Sequence, residues 1–300
     1  MPGGDFVVSG VATVEPLIST GLPPSEFRVT ERSVKYSGMA SDLIYVDDDG
    51  VLNLTVSTSD AGTALDHDLV LEGREALRAV TRGKLDAGAV LLRGAGKNFC
   101  AGGNVAAFAA ADDRGDYLRG LADDLHSTIE FLYESELPVV AAVKGWAAGA
   151  GMSLVLHADI AIGGTATKLR PAYPGIGLSP DGGMSWLLPR AVGAARARHI
   201  IMTDQILAAD RALELGILSE LVDDDAVEQA AHATAVKLAS GPRGSYTAIR
   251  RLLHRSATST LADQLTAEAA SISALSTTPE GVEGVDAFLA KRAPDYRGVR

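Results

Sequence analysis

The chain has 300 residues, 47% of them hydrophobic, 22% charged and 5% aromatic, with a formal net charge of -11. A chain of this length buries roughly three quarters of its unfolded surface, which excludes disorder as the main theme. The acidic total leaves no general attraction for nucleic acid, and no basic stripe supplies a local one; the single cysteine, Cys100, excludes intrachain disulfides and multi-cysteine metal sites.

The opening MPGGDFVVSG lacks the basic and apolar regions of a secretory signal, and no apolar run approaches the ~18–20 residues that span a bilayer. The expectation is a cytoplasmic protein with no membrane or nucleic-acid partner. Residues 1–40, rich in Ser, Thr, Gly and Pro and carrying TGLPPSEF, read as an extended arm. Residues 41–225 alternate β-branched runs with helical stretches: LIYV and VLNLTVS, the helix LVLEGREALRAV, the strand AVLLRG, then the turn GAGKNFCAGGN and a helix to about Glu134. The strand PVVAAVKG, the glycine turn WAAGAG, the helix MSLVLHA and the strand DIAIGG repeat that order. Such an α/β rhythm implies parallel pairing with helical crossovers, and ligands gather at the carboxyl ends of the strands, where both glycine turns sit. From about Ala226 strands give way to Ala-rich amphipathic helices punctuated by SGPRGS and STTPEG, so residues 226–300 read as a helical module suited to oligomerisation.

Neither glycine turn fits a P-loop or a full dinucleotide-binding fingerprint. Each taken alone could serve only tight strand-to-helix packing. Taken together, one exposed backbone N–H from each turn, one reinforced by a helix N-terminus, would make an oxyanion hole suited to enolate chemistry.

Here the sequence resembles the crotonase, or enoyl-CoA hydratase/isomerase, superfamily, through NFCAGGN, PVVAAVKGWAAGAGMSLVLHADIAI, GIGLSPDGGMSWLLPRAVG, ALELGILSELV and EGVEGVDAFLAKRAPDYRG. The resemblance runs from about Leu43 to Gly298. It implies an α/β fold, a crotonase-like spiral of ββα units with a C-terminal helical module, assembled as a homotrimer or dimer of trimers. It also implies an acyl-CoA thioester substrate, with coenzyme A as part of that substrate, no permanently bound cofactor and no metal. The oxyanion donors would be the N–H groups of Gly103 and Ala150, with Ala101 and Gly149 beside them lining the substrate site.

The hydratases carry a glutamate pair at positions occupied here by Ser153 and Tyr173, which speaks against hydration by that pair. Asp181, in SPDGG, stands where the aspartate-using isomerases of the family carry theirs. The residues alone leave two readings of Asp181 open: a helix N-cap ahead of GGMSWLL, or a proton relay in a partly apolar cleft lined by Tyr173, Trp186 or Leu178. His126 is placed with Tyr173 and Trp186 among the substrate-binding residues, as a hydrogen-bonding or packing residue, or as the base of a dehalogenase-type reaction in which Asp181 is the nucleophile. His67, His157, His199, His232 and His254 have no site context, and Cys100 lacks a base. The DDD runs at 47–49 and 223–225 read as solvated surface. The loop STSDAGTALD lacks the family's Arg-Pro, which leaves Lys97 and Lys291 as candidate cations for the coenzyme A phosphates and Phe288 as an adenine- or pantetheine-side contact. The expected activity is that of an enoyl-CoA isomerase; the alternatives are an atypical hydratase, a hydrolase or dehalogenase, and a non-catalytic acyl-CoA binder.

Overall fold

The computed structural model describes residues 28–30, 33–35, 42–60 and 63–300, so most of the expected arm lies outside the described residues. Its two described pieces are strands: β1 (Arg28–Thr30) and β2 (Ser33–Lys35) pair antiparallel, and β2 pairs with β3 (Ile44–Asp47). The end of the arm thereby extends the sheet. β4 (Val51–Ser57) follows antiparallel to β3, and α1 (His67–Thr81) starts where Asp66 accepts the Leu69 N–H at 3.3 Å. Leu69, Val70, Gly73, Ala76 and Leu77 recur at helical spacing and are buried, so α1 presents one apolar stripe to the sheet.

From here the chain climbs in repeated units. β5 (Ala89–Gly94) pairs parallel with β4; Cys100 then forms a single bridge to a second sheet; α2 (Val105–Ala110) and α3 (Arg114–Glu134) return the chain. The helix expected here is thus two, because Ala111 is extended and Asp113 caps a fresh start by accepting the Asp116 N–H at 3.0 Å. The next unit is β6 (Val139–Val143), β7 (Trp146–Ala148) and α4 (Ala150–Val155). The residues WAA, expected as part of a turn, are a strand. β8 (Ile160–Gly164) and β9 (Lys168–Arg170) lead through a 3-10 turn (Pro174–Ile176) into α5 (Met184–Val192) and α6 (Ala194–Met202). β10 (Leu207–Ala208), α7 (Ala209–Glu214) and β11 (Glu220–Val222) finish the strand-bearing part. The large sheet has the order β1-β2-β3-β4-β5-β6-β8-β11, parallel from β4 onward, and the small one β10-β9-β7. From β6 to β9 successive strands alternate between the two sheets, which is the ββα spiral.

Four helices close the chain: α8 (Val227–Ser240), α9 (Arg243–Ser256), α10 (Leu261–Leu275) and α11 (Pro279–Leu289). The first departs from the expected division at residue 226. Val227, Ala231, Ala235 and Ala239 of α8 form one fully buried stripe against Val51, Leu91, Val140 and Ile162, so α8 is the second layer of the α/β core. α9 is held by Arg250, whose guanidinium pairs with Asp159 at 3.0 Å and donates to the Leu137 carbonyl. No helix among the described residues is long and apolar enough to cross a membrane.

Candidate active site

The two glycine turns are brought side by side by one bridge. Cys100 N–H donates to the Trp146 carbonyl at 3.1 Å, and Ala148 N–H donates back to the Cys100 carbonyl at 2.9 Å. Gly103 and Ala150 each stand three residues beyond this pairing. Neither of their N–H groups donates to another described residue, so both are free for a ligand oxygen. Ala150 is the first residue of α4, where the helix dipole adds positive potential. Glycine is required beside it: a Cβ on Gly151 would stand 2.3 Å from the Cys100 carbonyl oxygen, and Gly149 has φ +53°. The Cys100 thiol is buried in this pairing, which pushes its pKa up to about 12 and leaves it inert as a nucleophile.

Both donors open onto a cavity of about 670 Å³ that is also lined by Ala101, Gly149, Tyr173 and Asp181. Its apolar wall comes from α2 and α3, with Val105, Phe108, Leu118, Leu121 and Leu125. Leu178 lines it as expected. His67, expected to be ordinary, lines it too, with Nε2 3.3 Å from Asp124. Asp66 and Asp68 lie on the same side, Asp66 being committed to capping α1.

The Asp181 side chain does not cap α5. α5 begins at Gly183 as N-cap with no side-chain cap, and Asp181 contributes only its main-chain carbonyl to the Met184 N–H at 3.2 Å. Its carboxylate Oδ1 instead accepts the Tyr173 hydroxyl at 2.5 Å. The Tyr173 phenol is pushed well above its ordinary pKa, first by burial and then by the charge of Asp181, so it remains a donor. Ser153 completes the group: its Oγ has one proton and two acceptors in reach, Tyr173 Oη at 3.2 Å, whose own proton is given to Asp181, and the Asp181 carbonyl at 3.0 Å. Thus the two residues at the glutamate positions hold the aspartate between them.

The next peptide is gripped from both sides. Gly182 N–H donates to His126 Nε2 at 3.1 Å, and His157 Nε2 donates to the Gly182 carbonyl at 2.8 Å, with Tyr133 Oη 3.1 Å from His157 Nδ1. His126 is therefore the hydrogen-bonding residue of its two expected readings; its Nε2 lone pair is engaged. Burial drives the His157 pKa down to about 4, so the ring is neutral. Sequence reasoning passed over His157, because nothing local connects it to a loop 25 residues away.

Five expected residues lie outside the cavity lining, among them His126, whose ring holds the Gly182 peptide instead. Trp186 is exposed on α5, with the Arg190 guanidinium 3.7 Å above its ring. Lys97 is exposed in the turn after β5, and Phe288 and Lys291 are exposed at the end of α11. Arg170 does line the cavity, its charge already engaged by Asp204, whose other oxygen accepts the Ala172 N–H at 2.7 Å. The acidic runs are brackets for backbone: Asp47 accepts from Asp49 and Val51 N–H, and Asp224 from Ala166 N–H.

The family model described as enoyl-CoA hydratase/isomerase matches residues 47–299. A 1,2-epoxyphenylacetyl-CoA isomerase of Escherichia coli (strain K12) is 34% identical over 257 residues, covering 83% of this chain and 95% of that one. A trans-2-decenoyl acyl-carrier-protein isomerase of Streptococcus mutans serotype c is 29% identical over 261 residues, covering 86% and 98%. Among solved structures, an enoyl-CoA hydratase from Polaromonas sp. JS666 superposes with a TM-score of 0.77 at 31% identity, covering 82% of this chain and 95% of that one.

Proposed function

The chain belongs to the enoyl-CoA hydratase/isomerase family, and from that membership we propose that it shifts a double bond, or opens a related strained group, in an acyl-CoA thioester through an enolate. Relatives and neighbours bear both hydratase and isomerase names. The observation that favours isomerisation is the side chain of Asp181, which faces the same cavity as the free N–H groups of Gly103 and Ala150 and caps nothing. In this reading the thioester oxygen accepts from the two N–H groups, which stabilise the negative charge as it develops. Asp181 removes a proton next to the carbonyl and returns it farther along the chain. A phenol and a hydroxyl at the glutamate positions supply no carboxylate pair to activate water. The cavity is of a size usual for small-ligand sites, and the wall of α2 and α3 suits an apolar acyl group. The exposed apolar residues of α10 and α11 support assembly into a trimer or hexamer.

The test is turnover of a panel of 3-enoyl, dienoyl and epoxyacyl thioesters of coenzyme A in deuterated water, with hydration and deuterium at C2 and C4 read separately. Double-bond transfer without hydration is expected, and Asp181→Asn lowers it by ~10²–10⁴-fold while the thermal midpoint holds. Hydration as the main reaction, or full turnover by the Asn variant, overturns this reading.

A further inference from the structure

The fold treats the two oxygens of Asp181 differently. Oδ1 receives the Tyr173 hydroxyl at 2.5 Å, whereas Oδ2 accepts from no described residue. Tyr173 is itself buried and tied through Ser153 Oγ, at 3.2 Å, to α4, the helix that begins with the Ala150 donor. When Ser153 gives its proton to the phenol, donor helix, serine, phenol and carboxylate form one hydrogen-bonded unit.

We propose that Tyr173 is the positioning residue of the proton relay: by occupying Oδ1 it leaves Asp181 one working oxygen, and Ser153 fixes that oxygen relative to the oxyanion donor. This rests on the isomerase reading of Asp181. For a 3-enoyl thioester the balance is simple. At C2 the C–H bond breaks, its electron pair passes into the dienolate and onto the thioester oxygen, and an Oδ2–H bond forms. At C4 the Oδ2–H bond breaks, a C–H bond forms with an electron pair of the dienolate, and the 2,3 double bond appears. One oxygen serves both carbons, so the proton moves along one face and part of it is returned before it exchanges with water.

The experiment is a double-mutant cycle of Tyr173→Phe and Asp181→Asn, assayed with cis-3-hexenoyl-CoA in deuterated water. Tyr173→Phe is expected to lower kcat about 10- to 100-fold, the worth of a hydrogen bond to a charged group, with KM and thermal midpoint nearly unchanged. The double variant should be no slower than Asp181→Asn alone, because the phenol acts only through the carboxylate. Deuterium at C4 should rise in Tyr173→Phe as the released carboxylate turns. Ser153→Ala repeats the cycle without disturbing the aromatic ring and should show the same dependence on Asp181 with a smaller loss. A double variant tenfold slower than Asp181→Asn, or an unimpaired Tyr173→Phe enzyme, overturns the positioning role and leaves Asp181 in place. Failure of the wild-type protein to convert any thioester of the 3-enoyl, dienoyl and epoxyacyl panel, or an active Asp181→Asn enzyme, overturns the isomerase reading and this role with it.

Discussion

Helices α4 and α10 are built from similar residues, AGMSLV and LADQLTAEAASISAL, yet all six residues of α4 are buried and none of the fifteen of α10 is. α4 lies inside the strand-bearing body, between the small sheet and the Asp181 loop, where every side chain meets a neighbour. α10 packs on α9 and leaves Leu261 75% and Ile272 73% exposed, while Phe288 on α11 is 82% exposed. The difference teaches that the site is made rigid by its own chain, whereas the apolar residues of the last two helices have no use within it. A substitution in the body should register in stability, and one in α10 or α11 in association.

The largest expected effect belongs to His157, at the centre of the body. Its folded pKa, about 4, lies below the ordinary 6.5 because burial disfavours the charged ring. The unfolded chain therefore takes up a proton that the folded one refuses, so this contribution is complete above pH 6.5 and is lost as pH falls through about 4. It amounts to about 3 kcal/mol. Urea unfolding at pH 7.5 and pH 5 should show the slope, and His157→Asn should flatten it; an unchanged slope would mean that the ring is not sealed. Next comes Gly151→Ala, whose Cβ has no room against Cys100. A loss of about 1–3 kcal/mol is expected in chemical denaturation, with turnover falling further than stability because the two donors are forced apart. The smallest effect on folding belongs to Phe288→Ser, within about 0.5 kcal/mol. Light scattering should nevertheless show weakened assembly; an unaltered trimer or hexamer would remove these helices from the interface.

Much of this was legible where the signal is local. Runs such as VLNLTVS and PVVAAV specify strands by themselves, and the two glycine turns were readable as a pair because both close strand-to-helix passages. Asp181 was legible as a candidate through its loop, although only the structure shows that its carboxylate caps no helix and receives the Tyr173 hydroxyl. Ser153 was readable only as the absence of a carboxylate, since its bonds reach a residue 28 positions away. α8 shows a different limit: an alanine stripe looks alike whether it will face a sheet or another helix. Trp186 failed for a related reason, because the amphipathic period of α5 does not say which side meets the cavity.

The buried sulfur between the two glycine turns gives the protein a built-in probe of opening. Cys100 is the only thiol in the chain, and a pKa near 12 with no exposure makes it silent toward maleimides and disulfide reagents while the turns stay paired. Its modification rate in the native protein therefore reports how readily the structure opens around Cys100, without any introduced label. A ligand that bridges the Gly103 and Ala150 amides would slow that rate in proportion to its occupancy, so thiol chemistry can rank candidate thioesters before any of them is seen to react.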